Sequence, residues 1–206
     1  MKIKTIKKSQ IKYKEIRKFI YQIMDCVYKV HEIRDPYTAR HQKKVAFLSS
    51  AIAKEMGLPD DQIEGIYLAC LIHDVGKISI PMSILSKPIN VNNEEFNLIK
   101  NHPKVGSEII KDVDSPWPIV EMVLQHHERL DGSGYPSGLN DKEIILEAKI
   151  IGVADIVEAI SSHRPYRPGL GIVKALEEII KNKGILYDQK VVDTCVKIFK
   201  EEKFKF

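Results

Sequence analysis

Imidazole and carboxylate side chains end or interrupt the most apolar segments of this sequence. His73 and Asp74 follow one apolar run, His126 and His127 follow another, and Asp155 lies inside a third. A buried carboxylate is costly unless it is paired or bound to a metal, and a buried imidazole needs a hydrogen-bond partner. The chain must therefore fold so that these groups meet partners, which are either structural salt bridges or a metal.

The apolar residues themselves predict helices. They recur at spacings of three and four along nearly the whole chain, and no stretch shows the period-two alternation of a half-buried strand. Start and stop signals divide the chain into predicted helices: Asp35-Pro36 to about Met56 with Gly57 as its stop, Asp60 to about Asp74, one opened by Asn92 with Glu95, one by Pro103, Ser115-Pro116 to His126-His127, Asn140 with Glu143 to about Ser161, 171–183 before Gly184, and 189–202 capped by Asp188. We therefore predict an all-α fold with one helical domain.

The positive charge is concentrated at the N-terminus. The 206 residues carry a formal net charge of +4, yet residues 1–18 hold eight Lys and Arg against one Glu. The remaining 188 residues contain 24 cations and 27 anions, so the first segment is +7 and the body is −3. Such a body lacks the positive field that non-specific nucleic-acid binding needs, and we expect no nucleic-acid partner.

The N-terminal segment also has helical amphipathicity, because isoleucines alternate with its lysines. We divide the chain into this basic amphipathic segment, 1–29, and a helical domain, 30–206. The pattern favours a helix that packs on the domain or on a second subunit. Binding to nucleic acid or to an anionic membrane is the alternative.

Composition is typical of a globular protein, with 44% hydrophobic and 29% charged residues. No apolar run approaches the roughly 18 residues that a membrane span requires, and the N-terminus lacks the apolar region of a secretory signal. Cys26, Cys70 and Cys195 are widely separated and have apolar surroundings, which predicts three buried free thiols. We expect a cytoplasmic protein without a membrane span.

The His73-Asp74 pair can reach a metal cluster. Neighbouring helix positions point about 100° apart, so both side chains reach one cluster only along their shared edge. Asp74 has two oxygens and could bridge two cations, while His73 offers one nitrogen. Lys77 lies on the same helix face as Asp74, where its charge could balance the carboxylate or hold a phosphate oxygen. A solvated His-Asp pair at a capped helix end is the alternative.

A turn-forming segment follows the second histidine pair. Its Asp131-Gly132 and Ser133-Gly134 steps predict a tight turn rich in exposed backbone groups. One interpretation is a surface connection between helices. The other is a rigid loop that presents backbone amides and Tyr135 at the mouth of a site.

Taken together, the acids and imidazoles predict a binuclear metal centre in the helical core. They fall at the ends or in the middles of at least four predicted helices, as a metal pair inside a helical domain requires. The ligand types are imidazole and carboxylate, with no cysteine near any of these motifs. This chemistry favours iron, and next manganese, over structural zinc.

Several compound motifs resemble the HD-GYP family, a branch of the HD-domain phosphohydrolases that degrade cyclic di-GMP. The resemblance covers about residues 30 to 196 and rests on four segments: DPYTARH at 35–41, HDVGK at 73–77, HHERLDGSGYP at 126–136, and Asp155 followed by RPYR at 164–167. It implies an HD-type helical domain with seven metal ligands: His41, His73, Asp74, His102, His126, His127 and Asp155.

The resemblance also implies roles for individual residues. Asp74 would bridge the two metals, and Asp74 and Lys77 are the expected catalytic residues. Lys77 would lie near the substrate phosphate, and Arg164 and Arg167 match basic positions that bind it. Tyr135, from its place in the loop, joins them as a substrate-binding candidate.

One position departs from the family pattern. Some members hold a third metal with a glutamate four residues before the first ligand histidine, where this sequence has Tyr37. We therefore expect two divalent metals and a disfavoured third site. His31 and His163 remain outside the implied ligand set, and we interpret both as solvated or structural.

The implied reaction is hydrolysis of cyclic di-GMP to linear pGpG, which related members often continue to GMP. Hydroxide bridging the two metals would attack phosphorus in line with the departing 3′-oxygen. The metals, Lys77 and the arginines would stabilise charge on the non-bridging oxygens.

Two alternatives to this function stay open. The domain could hydrolyse another substrate, such as a mixed GMP–AMP ring or a nucleotide monoester. It could instead be a catalytically silent module that binds nucleotide or diguanylate cyclase (GGDEF) domains, although the intact ligand set argues against silence. The expected partners are thus cyclic di-GMP, a GGDEF domain, and a second copy of the chain through the N-terminal helix.

Overall fold

Helices follow one another along the whole described chain. The computed structural model describes residues 2–87, 91–163 and 168–206, apart from the side chains of residues 2–14, 25, 31 and 36–39. Its α-helices are α1 (Lys2–Arg34), α2 (Pro36–Glu55), α3 (Asp60–Ile72), α4 (Met82–Leu85), α5 (Asn93–Lys100), α6 (His102–Ile110), α7 (Ile119–Gln125), α8 (Leu146–Ser161), α9 (Gly171–Lys181) and α10 (Gln189–Lys200). Two 3₁₀ segments span Val75–Ser79 and Asp141–Glu143. These residues form no strand, and the all-α prediction is confirmed.

The core lies between α2, α3 and α8, and the later helices close it. Leu48 and Ile52 of α2, Ile66 of α3, and Ile150 and Ile151 of α8 are fully buried in one apolar cluster. Burying such side chains supplies the main driving force for folding, about 1.5–3 kcal/mol each. Because α2 and α8 are central, polar side chains on their inner faces are buried as well.

Local capping signals set several helix ends as predicted. The Asn92 side chain accepts a hydrogen bond from Glu95 N, and the Glu95 carboxylate accepts one from Asn92 N, which completes a capping box before α5. The Asp188 carboxylate accepts from Val191 N at 3.0 Å and begins α10. Gly57 has φ +79°, a left-handed conformation that ends the α2 segment at little steric cost for glycine.

The helix predicted from Ser115-Pro116 begins later than expected. The α7 helix starts at Ile119, after Pro118, and the preceding Trp117 N donates to the Ser115 hydroxyl instead. A proline disfavours helical conformation in the residue before it, so Pro118 keeps Trp117 out of the helix. The predicted start was therefore wrong, while the end next to His126 was correct.

The helix predicted from Asn140 to about Ser161 is two separate elements. The capping box of Asn140 and Glu143 is present, but it begins only a 3₁₀ segment. Ile144 and Ile145 are then extended, and α8 begins at Leu146. Gln125 explains the break, because its side-chain oxygen accepts a hydrogen bond from Ile145 N at 2.9 Å and holds the backbone there.

The cysteine prediction was correct for two thiols and wrong for the third. Cys70 and Cys195 are buried, and burial raises the pKa of each thiol to about 12. Cys26 is exposed, because it lies on the face of α1 that points away from the domain. No described helix is both long and apolar enough to cross a membrane.

Candidate metal centre

Five elements bring all seven ligand candidates into one buried region. The contributors are α2 with His41, the segment after α3 with His73 and Asp74, the start of α6 with His102, the segment after α7 with His126 and His127, and α8 with Asp155. Their donor atoms form two groups, in each of which all atoms lie within 4.8 Å of one another. One group contains Asp74, His102, His126 and His127, and the other contains His41, His73 and Asp155.

The Asp74 carboxylate lies between the two groups. Its Oδ1 is 3.1 Å from His102 Nε2, while its Oδ2 is 3.4 Å from His73 Nε2 and 3.9 Å from His41 Nε2. One oxygen therefore faces each group. The Asp155 carboxylate is placed similarly, with Oδ1 2.8 Å from His41 Nε2 and Oδ2 3.7 Å from His127 Nδ1.

Backbone carbonyls fix the orientation of three imidazoles. In each, Nδ1 donates to the carbonyl three residues earlier, at 2.6–2.7 Å. The pairs are His73 with Cys70, His102 with Ile99, and His126 with Val123. A neutral imidazole has only one N–H, so Nε2 of each ring presents a lone pair to the cluster. Three helix ends thus supply three pre-oriented nitrogens that could bind a metal.

These lone pairs face other acceptors, which indicates a cation site. His102 Nε2 lies 3.4 Å from His126 Nε2 and 3.1 Å from Asp74 Oδ1. His73 Nε2 and Asp74 Oδ1 are buried without a hydrogen-bond partner. Unpaired buried acceptors cost about 1–3 kcal/mol each, and a divalent cation among them removes that cost. The residues present therefore fit a metal, with imidazole nitrogens and carboxylate oxygens as the donors.

His41 is held by carboxylates on both sides. Its Nε2 faces Asp155, and its Nδ1 forms a short hydrogen bond with Glu158, which is buried on α8. Burial lowers the pKa of His41, but the hydrogen bonds to Asp155 and Glu158 outweigh it and raise the pKa to about 9. Glu158 was not predicted from the sequence. Its spacing of three from Asp155, on one face of α8, was the available signal.

His126, His127 and Asp74 are in the states that metal binding requires. Burial holds the pKa of His126 and His127 well below the ordinary imidazole value, so both rings are neutral at pH 7. Burial opposes ionisation of Asp74, but the positive charge of Lys77 and the nearby imidazoles keep its pKa well below the ordinary value. Metal ligands must be deprotonated in this way.

A cavity of about 330 Å³ opens beside the cluster. The ligand candidates His41, His102, His127 and Asp155 form part of its wall, and Lys77, Arg129 and Tyr135 form another part. Lys77 Nζ donates to Asp74 Oδ2 at 2.7 Å, and the Tyr135 ring lies 4.7 Å from the His127 ring, centroid to centroid. Arg129 was not predicted as a site residue, although it lies in the HHERLDGSGYP segment at 126–136.

Buried Glu128 fixes the loop that carries Tyr135. Its two carboxylate oxygens accept hydrogen bonds from Ser137 N at 2.7 Å and Leu139 N at 2.9 Å. Tyr135 N donates to His127 O at 3.2 Å, so the loop is also tied directly to the histidine pair. The loop packs closely, since a Cβ on Gly134 would lie 2.4 Å from Glu128 Cα.

The remaining sequence candidates lie away from the cluster or outside the described residues. Arg164 and Arg167, and the side chains of Tyr37 and His31, are outside the part of the chain that the structure describes. His163 is exposed, and its Nδ1 accepts a hydrogen bond from Gly169 N at 3.1 Å, which agrees with a structural role.

The fold and the cluster define an all-α domain built around buried histidines and aspartates that could bind metal. A family model described as "HD domain" matches residues 25–191. The chain therefore belongs to the HD domain family. The resemblance noted in the sequence is confirmed at this level.

Similar proteins support the same family assignment. A cyclic di-GMP phosphodiesterase from Thermotoga maritima is 39% identical over 191 residues, covering 92% of this chain and 52% of the relative. The 3'3'-cGAMP-specific phosphodiesterase 3 of Vibrio cholerae is 36% identical over 154 residues, covering 75% of this chain and 34% of the relative. The chain thus spans about half the length, or less, of these relatives.

A solved structure shares the fold. An HDG"Y"P protein from Bdellovibrio bacteriovorus superimposes with a TM-score of 0.67 at 22% sequence identity. The match covers 81% of this chain and 53% of that chain. At this identity the likeness establishes the common helical architecture and nothing finer.

Proposed function

We propose that this domain is a metal-dependent phosphodiesterase that hydrolyses cyclic di-GMP to pGpG, the product that related members often hydrolyse further to GMP. The observation that carries the proposal is the convergence of imidazole lone pairs and two carboxylates beside a cavity that also contains Lys77. The name of the Thermotoga maritima relative supports cyclic di-GMP as the substrate.

The proposed centre holds two divalent cations. His41, His73 and Asp155 would bind one, and His102, His126 and His127 would bind the other, with Asp74 as the bridge. The bridge is supported by the two Asp74 oxygens, which face different groups. Imidazole and carboxylate donors favour iron, then manganese. A third metal is disfavoured because Tyr37 stands where a carboxylate ligand would be needed.

When bound, the cations supply Lewis-acid charge and make hydroxide available at neutral pH. The chain itself positions and stabilises the substrate. Lys77 has three donors, of which one is used by Asp74, so the others can reach a non-bridging phosphate oxygen from the cavity wall. Arg129 adds a second cation to that wall, and the Tyr135 ring offers a flat surface for a base. Arg164 and Arg167 are proposed as further phosphate ligands on their sequence positions alone.

A second candidate substrate is 3′,3′-cGAMP. The relative of that specificity is nearly as similar to this chain as the cyclic di-GMP phosphodiesterase, and the metal ligands act on phosphate, which both rings share. Comparison of kcat/KM across cyclic dinucleotides and a nucleotide monoester decides between them. We expect the highest value for cyclic di-GMP, and a higher value for another substrate would replace this assignment.

Ligand variants test the site. Asp74→Ala and His126→Ala should each lose bound metal and at least ~100-fold of the turnover, because each removes a direct ligand. Asp193→Ala is the matched control, since this aspartate pairs with Lys183 on the surface of α10 and should leave both properties unchanged. Full activity in either ligand variant would move the site elsewhere.

The same measurements separate an enzyme from a silent binding module, because a silent module would bind nucleotide or a GGDEF domain without turnover.

We propose a GGDEF domain as a protein partner and the cytoplasm as the location, both on the family resemblance. Pull-down with a purified diguanylate cyclase tests the partner directly.

A further inference from the structure

Helix α1 has two apolar faces, and one of them packs on the domain. Tyr28 is buried, and the Tyr21 ring lies 6.2 Å from the Tyr67 ring. Arg17 Nε and the Tyr21 hydroxyl both donate to Glu64, at 2.6 Å and 3.1 Å. The inner face is therefore positioned by apolar packing and by hydrogen bonds to α3.

The second face carries a row of exposed apolar side chains, which we call the outer stripe. Successive members are separated by three, four, three, four and three residues. They are Ile16, Phe19, Ile23, Cys26, Val30 and Ile33. The five other than Cys26 have exposed fractions of 49%, 61%, 47%, 60% and 86%, and Cys26 is exposed as well. At about 100° per residue, this row lies on the side of α1 opposite Arg17, Tyr21 and Tyr28.

This spacing is that of a coiled-coil seam. Apolar residues at alternating spacings of three and four have an average period of 3.5, which keeps two supercoiled helices in contact. A helix that packed only on its own domain would need one apolar face, whereas α1 has two. Large contiguous apolar surfaces of this kind mark interaction sites. The outer stripe is thus fitted to another helix with the same period.

We propose that the outer stripe binds the outer stripe of a second copy of this chain, with the two α1 helices antiparallel. A second α1 helix has exposed apolar residues at the same spacing, so it is a complementary partner for the outer stripe. Six side chains of about 100 Å² each, counted on both copies, bury about 1,200 Å². This area lies at the lower end of the roughly 1,200–2,000 Å² that stable interfaces bury.

Charge decides the orientation. Residues 1–18 carry a formal charge of +7, so parallel helices would place two such segments side by side, where they repel. Antiparallel helices separate these segments and direct each toward the body of the other copy, which is −3. In this arrangement Ile16 meets Ile33 of the second copy, Phe19 meets Val30, and Ile23 meets Cys26.

Sedimentation of the full chain over a range of concentrations tests the association. The wild-type protein should change from monomer to dimer as concentration rises. Phe19→Glu and Ile23→Glu should remain monomeric and keep the wild-type circular dichroism spectrum, because both side chains point away from the domain. Lys18→Glu is the matched control on the same helix, and it should still dimerise. A wild-type protein that stays monomeric, or a dimer that survives both stripe variants, would overturn the proposal.

Cys26 provides an independent readout. The other two thiols are buried, so alkylation of the native protein reports Cys26, and its rate should fall as the dimer forms. Antiparallel pairing offsets the two Cys26 side chains by about three residues, roughly 4.5 Å along the axis. This offset alone equals the upper end of the usual Cβ–Cβ range of a disulfide, and the separation between the two helices adds to it. Mild oxidation should therefore give no disulfide-linked dimer. Rapid linkage through Cys26 would contradict the antiparallel arrangement, and an alkylation rate independent of concentration would contradict the interface.

Discussion

Hydrogen bonds behind the candidate ligands decide which imidazole nitrogen faces the buried cluster. Three rings are fixed by carbonyls of the preceding helical turn, as shown by the 2.7 Å bond from His73 Nδ1 to Cys70 O. His41 differs, because Glu158 is its partner. A carboxylate behind a ligand histidine fixes the ring and raises its basicity, and losing such a partner typically costs 10–100-fold in metal affinity.

Glu158→Gln should therefore weaken metal binding about 10- to 100-fold without unfolding the domain. The amide keeps the size of the side chain but removes the charge that stabilises the His41 imidazole. Metal titration of the apoprotein measures the change. Glu177→Gln is the control, because Glu177 is exposed on α9 and pairs with Lys174 at the surface. Equal affinities in the two variants would show that Glu158 does not support the site.

At the scale of residues, the sequence predicted the ligand candidates better than the charged residues that surround them. The unusual position of ionisable groups in apolar helices, together with the motif resemblance, identified seven side chains that the structure brings together. Glu158 and Arg129 were missed, because a single charged residue on a helix or beside a turn is most often solvated. Only their packing against His41 and the cavity distinguishes them.

At the scale of elements, one glycine allows two of them to meet at the site. Gly76 lies in the 3₁₀ segment after Asp74, against the start of α6. A Cβ at this position would lie 1.9 Å from His102 O and 2.6 Å from Gly106 N, which are backbone atoms. The contact brings His102 to 3.1 Å from Asp74.

Gly76→Ala should separate the 3₁₀ segment from α6. We expect a loss of about 1–3 kcal/mol in the free energy of unfolding together with loss of bound metal, measured by urea denaturation and elemental analysis. Gly184→Ala is the control, because it has φ +74° and no atom near its Cβ position. It should cost about 1 kcal/mol of backbone strain and retain metal. If Gly76→Ala retains metal as well, the close contact does not position His102.

The loop that carries Tyr135 depends on a single residue as well, the buried Glu128. Glu128→Gln leaves one backbone N–H, of Ser137 or Leu139, facing an amide NH₂, at a cost of about 1–3 kcal/mol. We expect kcat/KM to fall about 10-fold or more while metal content stays constant, because the part of the loop that Glu128 holds, residues 135–139, carries Tyr135 and no ligand candidate. Glu121→Gln, exposed on α7, should match the wild type. Loss of metal in Glu128→Gln would mean that the residue supports the cluster instead.

Helix boundaries agreed with the sequence prediction where a single capping residue determines them. They differed from it where tertiary contacts determine them. Asn92 and Asp188 cap helices through their own side chains, so both starts were predictable. The break before α8 requires Gln125, which is 20 positions away from Ile145. The length of α1 beyond the predicted segment, to Arg34, likewise reflects its packing, since Arg34 donates to Ile80 O at 2.9 Å.

Over the whole molecule, the formal charge does not describe the surface that an anionic substrate would meet. Counting residues gives +7 on the first 18 positions and −3 on the remainder. Two divalent cations would add about +4 to that remainder, next to the cavity. A polyanion would then be attracted to the metal centre, although the body alone repels it. Composition cannot predict this contribution, because cations bound at the site would not belong to the chain.

The central claim is that the buried cluster holds two metals that hydrolyse cyclic di-GMP. The most direct test is elemental analysis of anaerobically prepared protein, combined with product analysis on the same sample. We predict about two equivalents of iron or manganese per chain and conversion of cyclic di-GMP to pGpG, with activity lost on chelation and restored by the metal. Metal-loaded protein that binds cyclic di-GMP normally but leaves it intact would contradict the account.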